Sequence, residues 1–454
     1  MASAADQMAQ NISLSKFAKA TDLKKRLWFT VGVLIVFRLL SYVPLPGIDP
    51  TVLNELSQRT TGGVLDFFNT FSGGSLSRMS LTALGVMPYI TASIVVQLAT
   101  SLSPTLAAIK KEGESGRKKL NQYTRYGTVG LTAVQGYFIA VGLEALGASN
   151  GMQAVIEPGM AFRIAAVISL IGGTMFLMWL GEQITSRGIG NGVSLIIMAG
   201  IVAHLPTTIV NLMEGGRSGS LDPIKLVGIV VAVAVLILFI CFMERAQRRI
   251  LIQYPKRQTQ RGMQADRSHL PLKINTAGVI PPIFASSLLL MPLTISQFAG
   301  QRVAGQSKWG DIIITLNQYL QHGSPVYMLL YGAGIVFFSF FYTAVVFNPE
   351  ETADNLKRYG GFIPGIRPGK NTEAYFDYVL TRITVIGAAY LAAICLIPEW
   401  LVSALSIPFY LGGTSLLIVV NVTMDTVTQI QSHLLAHQYG DLIKKAKLKG
   451  GRLR

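Results

Sequence analysis

A chain of 454 residues would make about three domains at ~150 residues each, but that expectation presumes water-solvated cores. Here 50% of residues are hydrophobic, only 14% are charged and the mean hydropathy is +0.46, which excludes a string of soluble domains and points to one membrane domain. The net charge of +16 is no nucleic-acid footprint, because it sits in short groups between apolar runs, where it faces anionic headgroups and acidic partners.

A membrane span needs ~20 mostly apolar residues. Ten stretches qualify, near 27–45, 78–103, 122–146, 160–181, 190–211, 224–243, 273–298, 325–348, 378–398 and 407–430. Residues 1–22 read as a polar N-terminal segment with a short amphipathic stretch around Lys16 and Lys19. Lys24-Lys25-Arg26 before the first apolar run resembles a secretory leader. The run is long, however, and ends in Val43-Pro44-Leu45-Pro46-Gly47 with no small-residue cleavage site, so an uncleaved first span is expected. Next comes Gly62-Gly63-Val64-Leu65-Asp66-Phe67-Phe68-Asn69-Thr70-Phe71-Ser72-Gly73-Gly74, apolar, rich in Phe and too short to cross. Two readings stand here: a re-entrant helix tucked into the protein from outside, or an external loop on its surface.

Spans 4 and 5 are joined by an abrupt turn, Gly181-Glu182-Gln183-Ile184-Thr185-Ser186-Arg187-Gly188-Ile189-Gly190-Asn191-Gly192. Two loops, 244–273 and 348–377, are long enough to protrude. The first carries Arg248, Arg249, Lys256, Arg257 and Arg261 among its eight basic residues; the second surrounds Arg367 with turn residues, which suits docking. Cys241 and Cys395 both lie in spans and read as free buried thiols. The basic groups before the first span, in every second loop and after the last span hold 31 of the 39 Lys and Arg residues. By the positive-inside rule both termini are cytoplasmic. Ten spans with both ends inside divide into two inverted five-span halves, 23–213 and 214–430, followed by a basic tail at 431–454.

Motifs for catalysis or energy coupling are absent from the sequence. Gly365-Ile366-Arg367-Pro368-Gly369-Lys370-Asn371 has the wrong spacing and ending for a phosphate loop, and no H-E-x-x-H occurs. The five histidines lack metal-ligand spacing, and Gly412-Gly413-Thr414-Ser415 offers a serine without a base. No cofactor is implied, and the chain does not read as an enzyme. Ionisable groups within spans default to function, but Arg38 is shallow enough to snorkel outward, Arg78 stands at an outer mouth, and Glu182, Glu244 and Asp425 lie toward the cytoplasmic side. With no carboxylate at a midplane, a passive conduit is favoured over an ion-coupled transporter. A membrane scaffold without a conduit is the third class.

The span interiors place Val86 and Ile90, and Val193 and Ile197, as i,i+4 pairs on single helix faces. Counting inward puts Val86, Ile90, Ile283 and Ile418 about 12–18 Å from a membrane face, whereas Val193 falls near the cytoplasmic end. Taken alone, such residues read as packing or lipid-facing.

The order of motifs nevertheless resembles the SecY/Sec61-alpha family of protein-conducting channels along nearly the whole chain. The likeness is carried by Pro44-Leu45-Pro46-Gly47-Ile48-Asp49, Phe71-Ser72-Gly73-Gly74, Leu76-Ser77-Arg78 and Leu84-Gly85-Val86-Met87-Pro88-Tyr89-Ile90. It continues through Met178-Trp179-Leu180-Gly181-Glu182-Gln183-Ile184-Thr185, Arg187-Gly188-Ile189-Gly190-Asn191-Gly192, His269-Leu270-Pro271-Leu272-Lys273, Gly365-Ile366-Arg367-Pro368-Gly369 and Pro408-Phe409-Tyr410-Leu411-Gly412-Gly413-Thr414-Ser415. The resemblance implies an all-α membrane protein of ten helices in two halves around an hourglass pore. It passes unfolded secretory chains and releases apolar segments sideways into lipid. It implies a pore ring of Val86, Ile90, Val193, Ile197, Ile283 and Ile418. The plug at about 62–75 would include Phe67, Asn69, Phe71, Ser72, Gly73 and Gly74, and the lateral gate between spans 2 and 7 would carry Gln97 and Asn275. The protruding loops would dock the SecA ATPase or a ribosome with its RNA, Arg367 matching the family's functional arginine. Gly262 stands where an arginine pair with Arg261 is often found. SecE and SecG are the expected small subunits, SecDF and YidC further partners, and the bacterial inner membrane the location.

Cysteines placed at Gln260, Gly369 and Gly450 should be labelled from the cytoplasm, and those at Gln58, Ser218 and Gln306 from outside. Labelling of position 369 from the outside would overturn the charge-based orientation.

Overall fold

The computed structural model describes residues 21–49, 69, 72–150, 155–218, 222–254, 267–289, 324–405 and 412–450. Its elements in chain order begin with α1 (Thr21–Leu40), α2 (Met87–Leu102), α3 (Pro104–Lys111), α4 (Glu114–Asn150), α5 (Met160–Arg187), α6 (Gly192–Arg217) and α7 (Pro223–Arg245). After a hairpin of β1 (Gln247–Gln253) and β2 (Arg267–Lys273) come α8 (Ile280–Leu289), α9 (Pro325–Val346), α10 (Pro349–Arg358), α11 (Lys370–Leu405) and α12 (Gly413–Gly450). Among the described residues six helices are long and apolar enough to cross a membrane: α4, α5, α6, α7, α9 and α11. The segment α2–α3 becomes a seventh if its 101° bend at Ser103 is one broken span. Helix α1 falls short because Asp22, Lys24, Lys25, Arg26 and Arg38 charge it. Only ten residues of the expected seventh span, α8, are described as helix.

Two expected helices are partly irregular. Span 1 ends at Leu40, before its two prolines, and the chain continues extended. There Leu45 N donates to Met79 O (3.0 Å) and Leu81 N to Val43 O (2.8 Å). Span 2 was expected helical from residue 78, yet 72–86 runs in turns and the helix starts only at Met87, with Pro88 in its first turn. The cause is local. Serine and threonine hydroxyls compete with helical bonding, and here Leu76 N donates to Ser72 Oγ (3.2 Å) and Ser77 N to Asn69 Oδ1 (3.0 Å). The hydroxyls of Ser75, Thr82 and Ser80 form a buried chain at 3.2 and 3.1 Å. Protein covers this stretch, as irregular backbone within a membrane requires: Leu76, Ala83 and Leu84 are buried, and a methyl on Gly173 of α5 would overlap the Leu81 carbonyl.

The turn between α5 and α6 is tighter than its sequence suggested, because α5 runs on to Arg187. Asn191 caps α6, its side chain accepting from the amides of Val193 and Ser194. Gly192 packs so closely on Gly181 that an added methyl would meet the Gly181 carbonyl oxygen. Ion pairs tie the first half together, Arg125 to Glu182 at 2.7 Å and Arg163 to Glu144 at 2.6 Å. One continuous apolar cluster runs from Val33 and Phe37 of α1 to Ile418 and Val422 of α12.

The two long loops pack into one unit, a joining for which the sequence held no signal. β1 and β2 pair antiparallel, Gln247 opposite Lys273 through Gln253 opposite Arg267. Along β1 the alternation is that of a half-buried strand: Ile250 and Ile252 are buried while Arg248 and Arg249 are exposed. Gln253 and Phe362 exchange two backbone hydrogen bonds of 2.9 Å, joining first loop to second. A second core of Ile250, Ile252, Leu272, Ala353, Leu356, Ile363, Phe376, Val379 and Ile383 lies beneath. Helix α11 supplies its floor. Its 36 residues make a rod of about 54 Å at 1.5 Å per residue, well beyond ~30 Å of hydrocarbon, so its first turns stand clear of the membrane. Helix α12 likewise continues as helix through the described part of the basic tail.

Candidate functional site

The six aliphatic side chains that the resemblance singled out all belong to or touch one apolar cluster. Val86, Ile90, Ile197, Ile283 and Ile418 are all buried in the main apolar cluster, and Val193 packs against it. Simple counting along span 5 put Val193 near the cytoplasmic end; packing at the first turn of α6 brings it against the same cluster. Val86, Ile90 and Ile197 share with Ser72, Leu84, Gly85 and Met87 a void of about 10 Å³, room for no more than one water.

Two contacts tie this region across the halves. Ser287 Oγ lies 3.6 Å from Met87 Sδ, and Thr423 Oγ1 lies 3.6 Å from Met198 Sδ. Each hydroxyl has one proton, and a nearer carbonyl takes it: Ile283 O at 2.7 Å from Ser287 and Val419 O at 2.6 Å from Thr423. The methionines therefore meet the opposite half mainly through dispersion, from soft side chains that adapt when a neighbour moves. Because Ile283 is one turn from Ser287, and Met198 and Val419 adjoin Ile197 and Ile418, these contacts place α2 against α8 and α6 against α12 at the ring positions. Nothing in the sequence marked Met87 or Met198, since such pairing depends on packing between distant elements.

Between the α5–α6 turn, the start of α8 and α12 lies a cavity of about 270 Å³ whose lining includes Asn191, Glu244, Lys273, Asn275, Asn421 and Asp425. Glu244 is 7% exposed, and Asn275 Nδ2 donates to its Oε1 at 2.6 Å and to Gly278 O at 3.1 Å. Gln97, the other polar residue implied for the gate, donates to Ser93 within its own helix at 3.4 Å, and its buried Oε1 accepts no hydrogen bond among the described residues. Ser72, Gly73 and Gly74 are buried, while Asn69 O accepts from Gly74 N at 2.8 Å. Arg38, expected to reach outward, turns to the Gly73 carbonyl. Arg248, Arg249 and Arg367 are exposed on the cytoplasmic unit. Phe67, Phe71, Lys256, Arg257 and Arg261 lie outside the described residues. No group of metal-binding side chains occurs among the described residues.

A multi-span helical bundle with irregular backbone packed inside it and a partly polar cavity between its elements suits a membrane channel. The model of the SecY family matches residues 80–427. The protein translocase subunit SecY of Escherichia coli K12 is 55% identical over 430 residues, covering 94% of this chain and 96% of that one. The subunit of the same name from Rickettsia bellii is 51% identical over 443 residues, covering 97% and 100%. Among solved structures, one described as a protein conducting channel superimposes with a TM-score of 0.64 at 17% identity, over 90% of this chain and 92% of that. Sec61 in the canine ribosome-channel complex of the endoplasmic reticulum does so at 0.60 and 16%, over the same shares. The chain belongs to the SecY family, with the ten-helix channel fold of that family, and the family is one of channels rather than enzymes.

The Glu244–Asn275 bond yields a test of the site's construction. Removing the donor leaves a buried carboxylate unsatisfied, at a cost of ~1–3 kcal/mol. Asn275→Ala should lower the thermal midpoint of the purified protein accordingly, and Glu244→Gln should lower it less in the Asn275→Ala background than in the unaltered chain. Equal effects of Glu244→Gln in both backgrounds would show that the two residues are not coupled.

Proposed function

We propose that this chain is the pore-forming subunit of a translocase that moves unfolded secretory chains across the bacterial inner membrane and releases apolar segments sideways into lipid. The observation that carries this reading is that Val86, Ile90 and Ile197 close on a void with no room for more than a water, within an apolar cluster that also holds Ile283 and Ile418 from the other half. An aliphatic constriction excludes ions by staying dry, yet it makes no directional bonds and so deforms around a passing chain of any sequence. The contact of α2 with α8 through Met87 and Ser287 is then the lateral gate, with Asn275 at its cytoplasmic end. A segment exposed there partitions by its transfer free energy into lipid. Residues 62–75 serve as plug, and the halves 23–213 and 214–430 move against each other. Both termini face the cytoplasm.

The work is supplied from outside the chain. The joined loops offer a rigid basic platform, with Arg248, Arg249, Lys357, Arg358 and Arg367 exposed around the second core, for the SecA ATPase or a translating ribosome. SecE and SecG complete the membrane complex, and SecDF and YidC are transient neighbours.

Ile418→Asn or Ile283→Asn puts an amide into the seal at a cost of ~1–3 kcal/mol to the closed state. A shift of ~1.4 kcal/mol already raises the open population about tenfold. Vesicles carrying either variant should leak ions and export precursors with defective signal sequences. Plain loss of activity with neither leak nor relaxed signal requirement would remove these residues from the ring.

Arg367→Glu should reduce SecA-driven export at least about tenfold while changing stability by less than ~0.5 kcal/mol, as for other exposed sites. Unimpaired export in this variant would take Arg367 out of the docking surface.

A further inference from the structure

Arg38 and Arg78 approach the same carbonyl from different elements. Arg38, in the last turn of α1, donates from Nη1 to Gly73 O at 2.6 Å, and Arg78 donates from Nη2 to the same oxygen at 3.1 Å. Both guanidinium groups also stack on one ring, that of Tyr42, with centroid distances of 5.0 and 4.2 Å. Tyr42 Oη holds Arg38 Nη2 at 3.1 Å. Two cations on one neutral acceptor and one aromatic face is an unusual concentration of positive charge. It persists because the ring face and the carbonyl oxygen both present negative potential to it. Gly73 is the residue that admits it: its φ of +68° is left-handed, and an added Cβ would stand 3.0 Å from the Gly200 backbone of α6 and 3.4 Å from Arg38 Nη1. Among the described residues Arg78 has no hydrogen-bond acceptor besides Gly73 O, its Nε being buried and unpartnered.

We propose that Arg38 and Arg78, stacked on Tyr42, are positioning residues that latch the segment at Gly73 against α6 and so hold the channel shut from its outer side. The inference rests on the reading of residues 62–75 as the plug. Its physical content is cooperative. While Gly73 O is present, both cations share it; when it leaves, two like charges remain crowded at the Tyr42 ring without that acceptor, and their repulsion favours return of the carbonyl. Moving the segment away from α1 breaks the Arg38 bond, whereas Arg78, five residues along the same stretch, orients the carbonyl toward Arg38. Ser72, next to Gly73, is 5% exposed and lines the void beside Val86, Ile90 and Ile197, so its accessibility reports whether this segment is seated.

The test uses the full-length chain in sealed membrane vesicles, with Cys241→Ala, Cys395→Ala and Ser72→Cys, reacted from the outer side with a membrane-impermeant maleimide. Ion leak is measured in parallel. Arg38→Gln combined with Arg78→Gln should raise the labelling rate at position 72 at least about tenfold, with a matching rise in leak. Tyr42→Leu, which alters an exposed ring and leaves both charges, should raise both by a smaller factor, and Tyr42→Phe should leave both close to the starting values. Should the double arginine variant fail to accumulate, the tyrosine pair decides the matter, because a structural role for the ring would not raise labelling and leak together. Labelling that stays slow in the arginine and Tyr42→Leu variants but accelerates in Ile418→Asn overturns the latch and leaves the plug reading intact. Labelling that none of these variants changes overturns both.

Discussion

A pore that admits a polypeptide while retaining ions must be sealed by contacts that are strong enough to exclude water and weak enough to part. Strong polar bonds across the seal would meet the first demand and defeat the second. In this protein the ring positions carry only valine and isoleucine, and the side chains that bridge the halves nearby are methionines facing hydroxyls whose protons point elsewhere. Cohesion there is dispersion and dehydration, which fall off smoothly as surfaces separate. The ion pairs Arg125 to Glu182 and Arg163 to Glu144 and the Asn275 to Glu244 bond lie within one half or the other, while Gly190 N donates across the seam to Gln429 Oε1 at 2.9 Å. Each half is thereby stiffened while the seam between them is left adaptable.

That division of labour explains where the backbone departs from helix. Residues 72–86 lie in turns inside a membrane protein, a place where unpaired amides are costly. The cost is met locally by hydroxyl and asparagine side chains and by backbone bonds to the end of the first span, and α5 covers the rest. An irregular segment so supported can present Ser72 to the ring cavity and the Gly73 carbonyl to two arginines, which a continuous helix starting at residue 78 would not do. The cytoplasmic unit shows the opposite solution. Its two loops share a hairpin, a backbone bridge and a private core on the extended foot of α11.

Membrane residence and the apolar stretches could be read from the sequence because they depend on composition along the chain, which hydrocarbon thickness translates directly into spans. The family motifs likewise are linear, and they pointed to residues that share one apolar cluster, Val193 included. What required the tertiary structure was everything that depends on which distant residues meet: the methionine contacts between halves, the partner of Asn275, the separate surroundings of Gln97 and the fusion of the two loops. Arg38 shows the boundary well. The sequence marked it as a charge in an apolar run, and snorkelling toward water was the reasonable expectation from its depth. Its actual acceptor, the Gly73 carbonyl, became available only because a left-handed glycine in a folded-back segment brought a backbone oxygen within 2.6 Å, and no linear pattern encodes that meeting.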